Sequence, residues 1–268
     1  MLKKIVILFA AALFVGAASA QTLEEAIATF TDGNGGKDRL MAINSIQVQS
    51  TMSLPMMGMQ SNITTIREKN KLFRIQTSGG MSTEATFTVI TDTAGYTYTP
   101  AIPGFGGFGG MEAAFTKMTA EEMQQQAYQK DCAGFFGPLV DYAAKGHKAA
   151  LGKSEKVNDV DCYQIKLTLN TGQEMNYFIA KNNGQVKRIQ LPASVALESF
   201  GMGSAMKMFG GGRNVDRKID VDYEKYKIFD GFPMPTKQTL KLGSMAVDIE
   251  NTAIKVNQPI DAKWYQAK

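Results

Sequence analysis

The chain reads as an α+β protein, mainly β. The expected architecture is one large antiparallel meander of about eleven strands, with a few helices covering one face. Three observations predict this. Apolar residues recur with a period of two, as over residues 45–54, where Ile46, Val48, Met52 and Leu54 share one face and Gln47, Gln49, Thr51 and Ser53 the other. The segments between such runs carry Gly, Asn or Asp, the residues of tight turns. Helix-start signals occur in only two regions, and no βαβ series suggests a parallel sheet.

In chain order, residues 1–20 (MLKKIVILFAAALFVGAASA) come first. Lys3 and Lys4 precede a short apolar core from Ile5 to Val15, and Ala18-Ser19-Ala20 forms an A-x-A site, the pattern of a secretory leader cut before Gln21. The apolar run is shorter than the roughly 20 residues that span a bilayer. No cysteine follows the cut to take a lipid. The expectation is a soluble periplasmic protein whose residues 21–268 form a single domain. Thr22-Leu23-Glu24-Glu25 is a capping box and starts a helix, which breaks over the glycine-rich residues 32–36 and resumes over 37–42. Strands follow at 45–54, 62–69, 72–78, 84–91 and 95–99. A second capping box, Thr119-Ala120-Glu121-Glu122, with Met118 and Met123 placed as a hydrophobic staple, opens a helix expected to reach about Cys132. Gly137-Pro138 separates it from a shorter helix ending at Gly146. Strands resume at 163–169, 174–180 and 186–191. After a loop rich in Gly and Met come strands at 216–229, 236–242 and 245–256.

Composition excludes some functions. The formal net charge of +4 shrinks once Lys3 and Lys4 are removed, and no dense Lys/Arg block remains, so nucleic acid is not an expected partner. The stretch GFGGFG, residues 104–109, fits a dinucleotide fingerprint letter by letter. A dinucleotide loop must leave a parallel strand and open into a helix. Here Pro100 and Pro103 intervene, and the capped helix begins only at Thr119. His147 is the sole histidine, so a multi-histidine zinc site is excluded, and no G-x-S-x-G elbow accompanies it. Asp220, Asp222 and Glu224 alternate with Val221 and Tyr223, which reads as a solvated strand face, with Asp216 nearby. No catalytic residue, metal or cofactor is expected, and the chain is not expected to be an enzyme. Cys132 and Cys162, in an oxidising compartment, are either a disulfide or two buried thiols.

The irregular segments are unusually apolar. Phe105 and Phe108 sit on a glycine hinge, Met56, Met57 and Met59 follow Pro55, and Met202, Met206 and Met208 lie between Phe200 and Phe209. Loops run over the surface and are normally polar. The chain has 16 Met against one Trp, and Met side chains repack around varied apolar shapes. Phe105, Phe108, Met202 and Met206 are therefore expected to act as a lid over an apolar opening, against the alternative that these loops tuck into the core.

A family resemblance follows from these segments. The order of leader, short helix, strand run, helical interlude and strand run resembles the periplasmic outer-membrane lipoprotein-sorting proteins, the LolA-like carriers. Ile66-Arg67-Glu68-Lys69-Asn70-Lys71-Leu72-Phe73 is similar to that family's basic hairpin, and residues 89–100 (VITDTAGYTYTP) to its V-x-D-G-x-x-x-W-x-Y-x-P hairpin, with Tyr96 at the tryptophan position. Residues 163–169, 175–179 and Asn183-Gly184-Gln185-Val186 are similar to its paired central strands and turn. Residues 26–45, with Gly35-Gly36-Lys37, resemble the start of Bacteroidetes-type relatives. The resemblance implies that the sheet is curved into a half-barrel around the helices and leaves a cavity for acyl chains, with Ile46, Val48, Leu72, Phe87, Ile165, Leu167 and Tyr177 as its lining. It implies a switch at the family's second-strand arginine, matched by position at Lys69, with Arg67 and Arg74 nearby. It also implies acyl chains of lipoproteins or free lipid as partners, a membrane-bound donor and receptor, and a monomer. A second reading uses the same half-barrel as an envelope sensor that docks a protein partner.

Overall fold

The computed structural model describes residues 21–55, 58–79, 82–104, 110–131, 134–203 and 217–267. The leader, Phe105, Phe108, Met206, Asp216 and Cys132 lie outside these.

Among the described residues there are fourteen strands in one antiparallel sheet that does not close into a barrel. The first half comprises β1 (Ser45–Leu54), β2 (Met59–Glu68), β3 (Leu72–Gly79), β4 (Ser82–Ile90), β5 (Gly95–Thr99) and β6 (Ala114–Lys117). The second comprises β7 (Lys148–Leu151), β8 (Glu155–Val157), β9 (Val160–Thr168), β10 (Glu174–Ala180), β11 (Val186–Pro192), β12 (Lys218–Phe229), β13 (Phe232–Leu242) and β14 (Met245–Val256). The spatial order is β6-β5-β4-β3-β2-β1-β14-β13-β12-β11-β10-β9-β7, with β8 beside β9. The first and last strands thus pair in mid-sheet. The two free edges, β6 and β7, are joined by the helical interlude, which crosses the hollow from one edge to the other.

Among the described residues four α-helices accompany the sheet: α1 (Leu23–Gly33), α2 (Lys37–Met41), α3 (Ala120–Gln125) and α4 (Ala193–Ser199). Thr22 Oγ1 accepts the Glu25 N–H at 3.0 Å, and Thr119 with Glu122 completes a reciprocal capping box. Alternation fixes the inner face. Ile46, Met52 and Leu54 of β1 meet Ile63 of β2, Phe73 and Ile75 of β3, and Ile249 and Val256 of β14 in one buried core. An extra residue in β14, Thr252, opposite the step from Gln49 to Ser50, keeps both ends of β14 inward, Val247 and Ile249 on one side of it and Ile254 and Val256 on the other. Ala26 and Phe30 of α1 seal the core above β7 and β9. Here Gly33 and Gly184 meet backbone to backbone, and Asn34 Nδ2 donates to the Gly184 carbonyl at 3.0 Å.

The structure corrects several expectations. The sheet has three strands beyond the about eleven that alternation marks: β6, β7 and β8 are the shortest, at four, four and three residues, too brief to show a period. The interlude helix ends at Gln125 and tightens into 3-10 turns at Ala127–Lys130 and Gly134–Leu139, so the helix expected after Pro138 does not form. Part of the Gly/Met loop is α4, whose buried face includes Val195, Ala196 and Leu197. Asp222 is not solvated: its carboxylate is 3% exposed, bound by Arg188 Nε at 2.5 Å and Lys241 Nζ at 2.7 Å. Burial opposes its charge, but the hydrogen bonds from Arg188 and Lys241 outweigh this and hold the carboxyl below the usual range. Cys162 is a free, buried thiol packed with Val157 and Phe178 on the sheet's outer side, while Cys132 lies outside the described residues.

Candidate binding cavity

Most of the hollow is filled by the protein's own side chains. Ile46, Ile165, Leu167 and Tyr177, expected to line a cavity, are at most 5% exposed and belong to the main core, with Val48 against it. Leu72 points the other way. It joins Ile66 and Val89 in a separate cluster on the outer face, under Ile260, Trp264 and Tyr265 of the C-terminal segment. The rings of Phe87 and Tyr98 pack together, and Arg74 lies 4.5 Å above Phe87 and 5.7 Å from Trp264. The period-two reading was right at these strands, but the assignment of Leu72 and Phe87 to the inner side was not. The C-terminal segment provides the missing cover for the outer aromatic side.

A cavity of about 700 Å³ survives where the hollow is less full, on the inner face of β3 to β6. That volume lies within the roughly 300–1,000 Å³ of small-molecule sites. Its floor is a grid of threonines. Thr86 and Thr88 of β4, Thr97 and Thr99 of β5, and Thr116 of β6 all line it. Register puts them on one face, since Thr88 stands opposite Thr97, and Thr97 opposite Thr116. Threonine suits a strand and is too short to fill the space above it. Ile75, Met111 and Met118 add apolar surface, and Phe87 alone of the seven expected lining residues borders the rim.

The opposite wall comes from α3 and α4. Glu121, Glu122, Gln125 and Gln126 face Ser194, Val195 and Glu198 across it. Gln126 Nε2 donates to Glu198 Oε2 at 3.0 Å, so the two helices are pinned together. Gln126 Oε1 is buried without a hydrogen-bond partner.

A buried polar chain holds this wall to the sheet. Arg67, 7% exposed on the inner face of β2, donates from Nε to the Gln129 carbonyl at 2.9 Å and from its terminal nitrogen to Gln129 Oε1 at 3.2 Å. Its guanidinium also stacks 5.0 Å from the Phe73 ring centre. Gln129 in turn donates to Tyr128 Oη and to Ser199 Oγ, and Ser199 donates to the Val195 carbonyl at 2.7 Å. Burial pushes the Tyr128 phenol far up, so it remains neutral. Lys69, by contrast, is at the surface and bonds the Met41 carbonyl at 2.6 Å. Of the two candidate switch residues, the structure brings Arg67 to the interlude and leaves Lys69 outside.

Of the four expected lid residues, Phe105, Phe108 and Met206 lie outside the described residues. Met202 is 4% exposed and packs in the core, its N–H bonded to Leu197 O at 2.7 Å. Met111, Gly201 and Gly203, which line the cavity, adjoin the Gly/Phe and Gly/Met segments that hold Phe105, Phe108 and Met206. His147 plays a local part: Nδ1 accepts the Asn170 N–H at 3.1 Å in a surface turn. No described helix is long and apolar enough to cross a membrane.

An open antiparallel half-barrel with helices in its hollow is a LolA-like fold. Among solved structures the chain is similar to a LolA superfamily protein from Nitrosomonas europaea, with TM-score 0.53 and 12% identity, covering 92% of this chain and 98% of that one. It is similar to an outer membrane lipoprotein-sorting protein domain from Vibrio parahaemolyticus, with TM-score 0.53 and 9% identity over 91% and 95%. It is also similar to a DUF1329 family protein from Desulfovibrio piger, with TM-score 0.50 and 8% identity over 92% and 98%. No protein-family model matches the sequence, and no curated protein matches it. Identities this low establish a shared fold.

Proposed function

We propose that this chain is a periplasmic carrier, or chaperone, that holds an acyl chain of a lipoprotein or lipid and delivers it towards the outer membrane. The observation that carries this reading is the cavity of about 700 Å³ between the inner face of β3 to β6 and the α3–α4 wall, in a LolA-like fold. The secretory pattern of residues 1–20 supports the compartment. Burying one CH₂ is worth about 0.8 kcal/mol, so a 16-carbon chain offers on the order of 12 kcal/mol before costs. Ordering the surrounding segments lowers the net affinity and allows release to a receptor. Binding of this kind needs no catalytic group. Arg67 is the element that keeps the interlude seated, and loosening its hold on Gln129 would open the wall.

The test is native, detergent-free purification of the exported protein, organic extraction and mass spectrometry. Acyl lipid near one per protein is expected. A clean extract would overturn the carrier reading, and a stoichiometric protein partner recovered without lipid would favour the docking reading in its place.

A further inference from the structure

We infer that the turn end of the β12–β13 hairpin, together with the end of α2, is a docking surface for a lipid membrane that carries anionic headgroups. This goes beyond the carrier reading and does not use its cavity. Three observations point to it.

The first is the placing of exposed apolar side chains. Among the described residues Met41, Phe115 and Ile228 are the large apolar ones that stand well exposed, and Ile228 is the most exposed at 68%. Phe115 has the Tyr96 ring stacked against it at 5.3 Å. Ile228 and Met41 belong to the same end of the sheet. Arg39 Nη2 of α2 donates to the Gly231 carbonyl in the hairpin turn at 2.7 Å. Asn257, just after β14, donates from Nδ2 to the Ala42 carbonyl, next to Met41, at 3.2 Å. The Val256 N–H donates to Asp230 Oδ2 of the same turn at 2.9 Å.

The second is a firm mount. Asp230 and Gly231 have φ of +48° and +83°, so the hairpin closes tightly between Phe229 and Phe232. Phe232 is buried in the core, and the Arg39 guanidinium lies 5.1 Å from its ring centre. Ile228 is thus presented on an anchored ribbon, and little chain entropy is lost when it enters a bilayer.

The third is charge. Lys227 adjoins Ile228, Lys255 adjoins Val256, Arg39 holds Gly231, and Lys69 Nζ donates to the Met41 carbonyl at 2.6 Å. None of these four cations takes part in an ion pair among the described residues. The carboxylates of this end are Asp38 and Asp230, and Asp230 accepts the Val256 N–H. Each lysine or arginine near an anionic leaflet raises partition roughly fivefold. Apolar residues flanked by such cations suit the bilayer interface. A stable protein interface would need roughly 800 Å² per partner around an apolar centre, more than two separate side chains supply.

The experiment is co-flotation of the mature chain with vesicles of phosphatidylcholine alone, or with about one-third phosphatidylglycerol, in about 0.05 M and about 0.3 M salt. Partition into the anionic vesicles at low salt should exceed that into phosphatidylcholine by about tenfold or more and fall at the higher salt. Ile228→Ser should lower it about fivefold or more, and the double variant Lys227→Gln, Lys255→Gln about tenfold or more. Phe115→Ser, on the far edge strand β6, should leave it unchanged. Circular dichroism checks that each variant is folded. Ile228→Ser should keep any acyl lipid that co-purifies, which separates this surface from the cavity. A parent that does not float, or flotation unaffected by both tip variants, overturns the inference and leaves the carrier reading standing. An equal loss in Phe115→Ser overturns it too, as does flotation with native membranes but not with their extracted lipids, which would assign the docking to a protein. An empty organic extract with vesicle binding intact overturns the carrier reading alone.

Discussion

Replacing Arg67 with methionine tests how the helical interlude is held. Arg67→Met removes both hydrogen bonds to Gln129, at 2.9 and 3.2 Å, and the stacking on Phe73. A hydrogen bond from a charged donor contributes about 1.5–3 kcal/mol, so the two together are worth about 3–6 kcal/mol. Methionine keeps much of the apolar contact and relieves the desolvation of a buried guanidinium, which offsets part of the loss. A net destabilisation of about 2–4 kcal/mol remains, or a fall in Tm of roughly 5–15 °C for a chain of this size. Lys69→Met serves as the control, because it loses one surface bond to the Met41 carbonyl and should cost under ~1 kcal/mol. Calorimetry gives the stability. Native-state hydrogen exchange over residues 120–139 gives the location, and only Arg67→Met should accelerate it. A melting temperature within 2 °C of the parent, with unchanged exchange in the interlude, would refute the role assigned to Arg67.

Other changes follow from the same packing. At Gly184 φ is +69°, and a methyl there would collide with the Thr29 carbonyl of α1. Gly184→Ala should therefore cost about 3 kcal/mol or more and loosen α1, which urea denaturation would show, and a loss below ~1 kcal/mol would contradict the close approach. Asp222 has a depressed folded-state pKa, so its contribution is present above about pH 4 and lost as the pH falls through its lower folded value. Asp222→Asn should start less stable at pH 7 and lose less on acidification to pH 2, with parallel curves counting against the buried ion pairs. Burial, then Lys145, pushes the His147 imidazole down, so the folded protein favours the neutral ring that accepts the Asn170 N–H. Stability should accordingly fall as the pH drops below about 6.5, and His147→Gln should flatten that slope in urea titrations. Trp264 is the sole tryptophan and covers the outer cluster, so Trp264→Ala should cost about 1–2 kcal/mol and leave acyl retention unchanged. Loss of retention would show that the C-terminal segment shapes the cavity.

Much of the fold was legible in the amino-acid order because it is local. A period of two marks β1 to β5 and the long strands from β9 onward, and Thr119 with Glu122 marks the start of α3. The signal failed where elements are short or held by tertiary contacts, as in β6 to β8. It failed again at α4, whose only sequence cue is the apolar Val195-Ala196-Leu197 between proline and glycine.

The candidate site divides in the same way. Alternation by itself determined that Thr86 and Thr88 share one face and Phe87 and Val89 the other, because a strand has two sides and no third choice. It could not say which side turns inward. Large aromatic residues suggested Phe87 and Leu72, yet the C-terminal segment covers that side and leaves the threonines facing the hollow. The amino-acid order likewise offered Arg67, Lys69 and Arg74 as neighbouring cations, but their fates depend on what each meets: Gln129 within the hollow, a surface carbonyl, and the Phe87 and Trp264 rings outside. Which face is buried depends on partners 62 and 192 residues away, and only the tertiary structure, by bringing those partners into contact, decided it.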